Sequence, residues 1–196
     1  MDFSSITADM ARRSVKPGLG RCLHLALIDR TFRFILTLRL YQAARHLGPL
    51  AMPALLAHRI TSKLAMVDLS AKTPVGEGLA VNHGFGLVVH PLAVIGRNVT
   101  LFQGVTLGSG DRIGPGGVRE TGFPVIEDEV WIGPYAMILG DVRIGQGSRI
   151  MGGAVVTSSV PAHSMVAGNP GVIVRTDCLA DVLYPADLPD APRSCF

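Results

Sequence analysis

Six aliphatic residues at strict intervals of six, Ile126, Ile132, Ile138, Ile144, Ile150 and Val156, constrain this chain more than any other feature. Four residues after each stand Val130, Ala136, Val142, Ser148, Ala154 and Val160, all small or β-branched, and Gly133 and Gly145 directly follow their isoleucines. An earlier run keeps the same phase: Val89, Ile95, Leu101 and Leu107, with Ala93, Val99 and Val105. Leu69, Val75 and Val81 form a third run, offset by two residues around 83–88. A period of six does not match the 3.6 residues of a helical turn, and the glycine and β-branched content is wrong for a helix. The pattern predicts a solenoid of short parallel strands with a corner every six residues. The aliphatic points inward from each side and the small residue fits the turn. No rung buries its own face, so stacking builds the core.

Composition agrees. Gly is 23 of 196 residues without a Gly-X-Y period, which asks for many tight corners. Hydrophobic residues at 48% and charged ones at 17% exclude disorder for most of the chain. Aromatics at 6% argue against a base-stacking nucleic-acid binder. The stretches 78–96 and 150–174 carry no Asp, Glu, Lys or Arg, but their Asn, His, Pro and Gly residues make them poor membrane helices, and the repeat accounts for both. Cys22, Cys178 and Cys195 have neither metal nor redox spacing, and Met1-Asp2-Phe3-Ser4 lacks the basic start of a secretory signal. A reduced, cytoplasmic protein without a metal is expected.

Charge is uneven. Residues 1–63 hold ten Lys or Arg against three Asp or Glu, while the remainder holds eight against twelve. This basic segment, 1–66, reads as helical: Arg21 to His46 contains no Pro or Gly, Gly48-Pro49 ends it, and a second helix runs over about 53–66. Its apolar surface exceeds what one short helix needs, so it is expected to meet a second subunit or an anionic membrane face through Arg21, Arg30, Arg33, Arg39 and Arg45. His24, His46 and His58 read as surface residues, and His90 as outward-facing or stacked at a subunit contact. The tail 176–196, rich in Asp and Pro, is expected to be loosely ordered.

The region 67–175 resembles the hexapeptide-repeat acyltransferases, in particular the serine O-acetyltransferase branch with its colanic acid and exopolysaccharide relatives. The residues that carry the likeness are Asp68, Val81-Asn82-His83-Gly84 with Gly86, Gln103-Gly104-Val105-Thr106-Leu107-Gly108, Val130-Trp131-Ile132-Gly133, Ile138-Leu139-Gly140 and Ala167-Gly168-Asn169-Pro170. The resemblance implies a mainly β fold, a left-handed parallel β-helix preceded by a short α-helical segment; the Gly- and charge-rich stretch 108–124 breaks the six-residue repeat and is expected to loop out. The resemblance also implies an acetyl-CoA-dependent O-acetyltransferase working as a homotrimer, with CoA in the groove between two β-helices.

Acetyl transfer to a hydroxyl needs a base, and histidine titrates near working pH. Fifteen residues separate Asp68 from His83, which places them on neighbouring coils near one corner. The resemblance gives this pair the roles of orienting carboxylate and catalytic base. By the same resemblance Gly108 and Ser109 lie near the thioester, Pro134, Ala136, Gly152 and Gly153 line the CoA groove, and Arg175 meets a CoA phosphate.

The chain departs from the serine enzymes at the acceptor. Asn82 stands where they carry Asp, and Gly122-Phe123-Pro124 where they carry Arg-His-Pro. Losing a cation and a proton carrier points to a sugar hydroxyl in surface-polysaccharide synthesis, with Asn82 and Phe123 at the acceptor. L-serine is the alternative acceptor. A non-catalytic β-helix scaffold or binding protein, suggested by the pI of 9.0, is a further alternative.

Overall fold

The computed structural model describes residues 4–186. Four helices come first: α1 (Ser4–Ala11), α2 (Leu19–Ile28), α3 (Arg30–Ala44) and α4 (Met52–Ala65). The continuous helix expected over 21–46 is broken at Asp29. Its backbone is extended, and its carboxylate accepts the N–H groups of Thr31 (2.8 Å) and Phe32 (3.0 Å), starting a new helix. No helix among the described residues is long and apolar enough to cross a membrane.

The rest is a three-faced prism of stacked parallel strands. Face I holds Val67–Leu69, Leu87–Val89, Thr106–Gly108, Met137–Leu139 and Val155–Val156. Face II holds Val94–Ile95, Val125–Ile126 and Arg143–Ile144. Face III holds Ala80–Asn82, Thr100–Phe102, Trp131–Ile132, Arg149–Ile150 and Met165–Ala167, and the antiparallel strand Val172–Arg175 closes its edge. The aliphatics of the six-residue repeat point inward: Ile126, Ile132, Ile138, Ile144, Ile150 and Val156 are 0–2% exposed. Phe34, Ile35 and Leu38 of α3 join the same core and plug the first end of the prism.

Two irregularities shape the surface. Leu101 lies twenty residues from its partner Val81, whereas Leu107 lies eighteen from Val89, so the corner between faces III and I at 83–86 carries two extra residues. Leu107 stacks on Ile138, thirty-one residues on, so thirteen extra residues leave between faces I and II. They form the hairpin Gly110–Ile113 with Arg119–Gly122, turned at Gly116 and Gly117, both in the left-handed region.

The basic segment does not present its arginines together. Arg39 is 4% exposed and pairs with buried Asp9 (2.8 Å) while donating to the carbonyls of Val75 and Gly76 (2.8 and 2.6 Å). Arg33 donates to the carbonyls of Ala26 and Leu27 at the end of α2. Polar anchoring of α3 to α2 and to the first coil therefore removes these cations from the expected membrane-facing row. His58 is also not a surface residue: it is 2% exposed, its Nε2 lies 3.0 Å from the carbonyl oxygen of Leu69, and burial lowers its pKa.

The tail does not hang loose over 176–186. Arg12, buried and with its pKa pushed down to about 10 mainly by that burial, donates to the carbonyl of Leu183 while also holding Gly78 (3.2 Å) and Thr100 (2.6 Å). The N–H of Cys178 donates to the His163 carbonyl at 2.7 Å, and Arg149 pairs with Asp181 at 2.7 Å. Asp and Pro residues do not prevent docking where the body supplies partners for the backbone. Cys195, Asp187, Asp190, Pro189 and Pro192 lie outside the described residues, as do Met1 to Phe3.

Candidate active site

The two-residue insertion at 83–86 lifts His83 out of the corner line. His83, Gly84 and Gly86 all have positive φ, at 65°, 61° and 69°. Tight i to i+2 hydrogen bonds, Gly84 N–H to Asn82 and Phe85 N–H to His83 (both 2.8 Å), fold the protrusion. A side chain at Gly84 would come within 3.1 Å of the Thr31 methyl, so glycine lets α3 press directly on this corner. The result is an exposed imidazole on a constrained loop, with Asn82 exposed beside it.

The start of α3 forms the other wall. Arg30 Nη2 donates to the carbonyl oxygen of His83 at 2.9 Å, and its guanidinium lies 3.3 Å from the centre of the Phe85 ring. Arg13 pairs with Asp29 at 2.8 Å. Burial works to raise the Asp29 pKa, but Arg13 and the hydrogen bonds from Thr31 and Phe32 hold it below the usual carboxylate range. Between these groups and His83 opens a cavity of about 600 Å³. Arg13 and Asp29 belong to no motif in the sequence, and Arg30 and Arg33 line this cavity in place of the membrane face expected of them. The only trace in the sequence is an Asp preceding an apolar periodic run, a helix-start signal with no functional content.

Asp68 lies on the first strand of face I, in register with Val88, and its side chain is exposed. Its neighbour Val67 packs 3.4 Å from the Cβ position of Gly84, so Asp68 and His83 occupy adjacent rungs near one edge. Their side chains share no hydrogen bond or ion pair. Asp68 opens instead on a separate cavity of about 670 Å³ with Arg59, Lys63 and Lys72.

The residues expected around CoA divide among three surface locations and the core. Pro134, Gly152 and Gly153 stack on the same corner column as the His83 protrusion, with the Gly153 N–H donating to Pro134 at 2.8 Å. Gly108 and Ser109 lie across face I, where the hairpin leaves. Arg175 is exposed but pairs opposite Met165, at the far edge of face III, so the strand reversal carries it away from the groove residues. Ala136 does not line a surface at all. It is 0% exposed, and its backbone N–H and carbonyl are both used, by Gly133 and Thr106. Four residues after Ile132, it is the inward small residue that the repeat itself requires.

Phe123 sits at the foot of the hairpin, its ring 4.5 Å from that of His90. It lines a cavity of about 750 Å³ with Gly122, Asp111, Arg112 and Glu120. Gly122 has a steric cause: any Cβ there would come within 2.7 Å of the Asp141 Cα. Asn82 and Phe123 thus lie on opposite edges of face I, and one chain alone does not bring them together.

Comparison with known proteins agrees with this architecture. Residues 123–158 match the model described as bacterial transferase hexapeptide (six repeats). A solved serine acetyltransferase from Brucella abortus strain S19, in complex with Coenzyme A, is 32% identical and superposes with a TM-score of 0.69, covering 89% of this chain and 68% of its own. The chain belongs to the hexapeptide-repeat transferase family. Within that family the relatives it resembles include serine acetyltransferases. The Neisseria gonorrhoeae enzyme in complex with serine is 32% identical, with a TM-score of 0.68 over 87% of this chain and 68% of its own. Serine acetyltransferase 4 of Arabidopsis thaliana is 36% identical over 176 residues, which is 87% of this chain and 47% of that protein. The chain spans about half the length of the curated relatives it matches.

Proposed function

We propose that this hexapeptide-repeat transferase moves an acetyl group from acetyl-CoA to a hydroxyl group, with His83 as the general base. The observation that carries the reading is the likeness, over 89% of the chain, to a serine acetyltransferase solved with Coenzyme A. His83 accepts the proton of the acceptor hydroxyl as its oxygen attacks the thioester carbonyl. The C–S bond breaks, and the thiolate takes a proton from the imidazolium to leave as free CoA. Asp68, on the adjacent rung, acts through orientation of the imidazole once substrates tighten the site; loose geometry before binding is usual for such pairs.

The relatives favour L-serine as the acceptor over the sugar suggested by the sequence. A sugar hydroxyl is the second reading, motivated by Gly122 and Phe123 at the hairpin cavity. A homotrimer fits the placement of the candidate residues, since a second copy alongside face I would bring its hairpin edge to the His83 corner. Thiol release from acetyl-CoA in the presence of L-serine and a panel of sugars tests the proposal. Turnover of L-serine supports the first reading, turnover of sugars alone the second, and no release with any acceptor removes both.

A further inference from the structure

We propose that Arg30 is a specificity-determining residue that holds an anionic group of the acceptor, a carboxylate or a phosphate, in the cavity beside His83. The inference rests on the acetyl-transfer reading and narrows its acceptor.

The cavity is lined by three guanidinium groups, Arg13, Arg30 and Arg33, and one carboxylate, Asp29. Arg13 is matched by Asp29 at 2.8 Å, which leaves two cations uncompensated. Arg33 spends Nε and Nη2 on the carbonyls of Ala26 and Leu27. Arg30 spends only Nη2, on the carbonyl of His83, so Nε and Nη1 have no hydrogen-bond partner among the described residues. The Phe85 ring, 3.3 Å from the guanidinium, and the bond to His83 fix the orientation of the group before any ligand arrives. Nη2 keeps a second N–H beside this bond, so with Nε or Nη1 next to it the guanidinium still offers a forked donor pair that suits a carboxylate or phosphate, and little side-chain entropy remains to be lost on binding.

The position matters as much as the charge. Arg30 and His83 line the same cavity, so a small acceptor with its hydroxyl at the imidazole has Arg30 within reach of its other substituents. The hairpin cavity has no such cation to offer. There Arg112 pairs with Glu120 at 2.7 Å and Arg119 with Asp111 at 2.5 Å, while Gly122 and Phe123 carry no charge.

The test uses acceptor pairs that differ in charge: L-serine with L-serinamide, and glycerol 3-phosphate with glycerol. Thiol release is measured with the full chain, and binding of each acceptor is measured separately by calorimetry. The wild type is expected to favour the charged member of one pair by about 10-fold or more in kcat/KM, the scale of a lost charged hydrogen bond. Which pair shows the preference distinguishes carboxylate from phosphate. Arg30→Gln should remove most of that preference through KM, Arg30→Lys should restore part of it, and Arg33→Gln should have a smaller effect. An unchanged charged-to-neutral ratio in folded Arg30→Gln, or no preference in the wild type, overturns the role of Arg30 while acetyl transfer stands. Absence of thiol release with every acceptor is a different failure, that of the transfer reading, and the inference falls with it. If Arg30→Gln does not fold, an Arg30→Lys variant with the wild-type ratio and KM values decides against the inference.

Discussion

The ring of His90 lies stacked on that of Phe123, with centroids 4.5 Å apart and planes inclined by 26°. The contact fastens the return of the extruded hairpin to the preceding coil, and His90 Nδ1 accepts the N–H of Leu92 at 3.2 Å, which sets the imidazole plane. Phe123→Ala should cost about 1–3 kcal/mol, combining lost burial with the aromatic pair. Amide hydrogen exchange should accelerate across 110–122 and stay unchanged at Ile144 and Ile150. Equal acceleration in both regions would show that the stack does not act locally.

The imidazole of His83 stands on a loop with little freedom, so its removal should act on chemistry and not on folding. His83→Ala should lower acetyl transfer about 100-fold or more, the scale of a lost general base. CoA affinity by calorimetry should be nearly unchanged. Asp68→Asn should cost less, because it leaves the base in place. Full activity of His83→Ala with every accepted substrate would remove the assignment.

Asp9 and Arg39 form a buried pair that also satisfies the Leu79 N–H and the carbonyls of Val75 and Gly76. Asp9→Ala strands a buried guanidinium and should destabilise the protein by about 3–5 kcal/mol. Urea unfolding should also show that Asp9→Leu combined with Arg39→Met is less damaging than the single change. A loss below about 1 kcal/mol for Asp9→Ala would mean that water reaches the site.

Two glycines should respond in opposite directions to the same substitution. A Cβ on Gly145 would run into the backbone nitrogen of Ala162 in the next coil, whereas one on Gly20 of α2 meets nothing within 4 Å. Gly20→Ala should stabilise by about 0.5–1 kcal/mol through helix propensity. Gly145→Ala should destabilise by about 1–3 kcal/mol, because neighbouring coils must separate. Thermal denaturation of both variants gives the comparison, and a neutral Gly145→Ala would show that the corner has slack.

The prism was legible because Ile126 to Val156 obey a periodicity that only stacking satisfies, and the offset at 83–88 appears in the register as the two-residue protrusion bearing His83. The same rule assigns Ala136 to the interior, and treating it as a groove residue on motif likeness set that rule aside. The docking of the tail left no pattern, because Arg12 reaches Leu183 through a backbone carbonyl that any residue would offer. Arg30 and Arg39 look alike in the sequence, yet one faces the candidate base and the other is buried against Asp9. That difference depends on how α3 crosses the first coil, which no local spacing encodes. The division of candidate residues between the two edges of face I was likewise invisible, since the repeat specifies inside and outside but not which corners neighbouring copies share.

The two rims of the prism are both covered. On the first, His58 Nε2 engages the carbonyl of Leu69; on the last, Val172–Arg175 runs back along Met165–Ala167, and Gly168 and Gly171 take up the hydrogen-bonding groups of Val155. A bare rim of parallel strands is a growth surface, ready to accept the rim of another molecule end to end. These covers therefore act as chain stoppers in the polymer chemist's sense. They hold a repeating architecture at a finite number of turns and keep it from propagating into fibres.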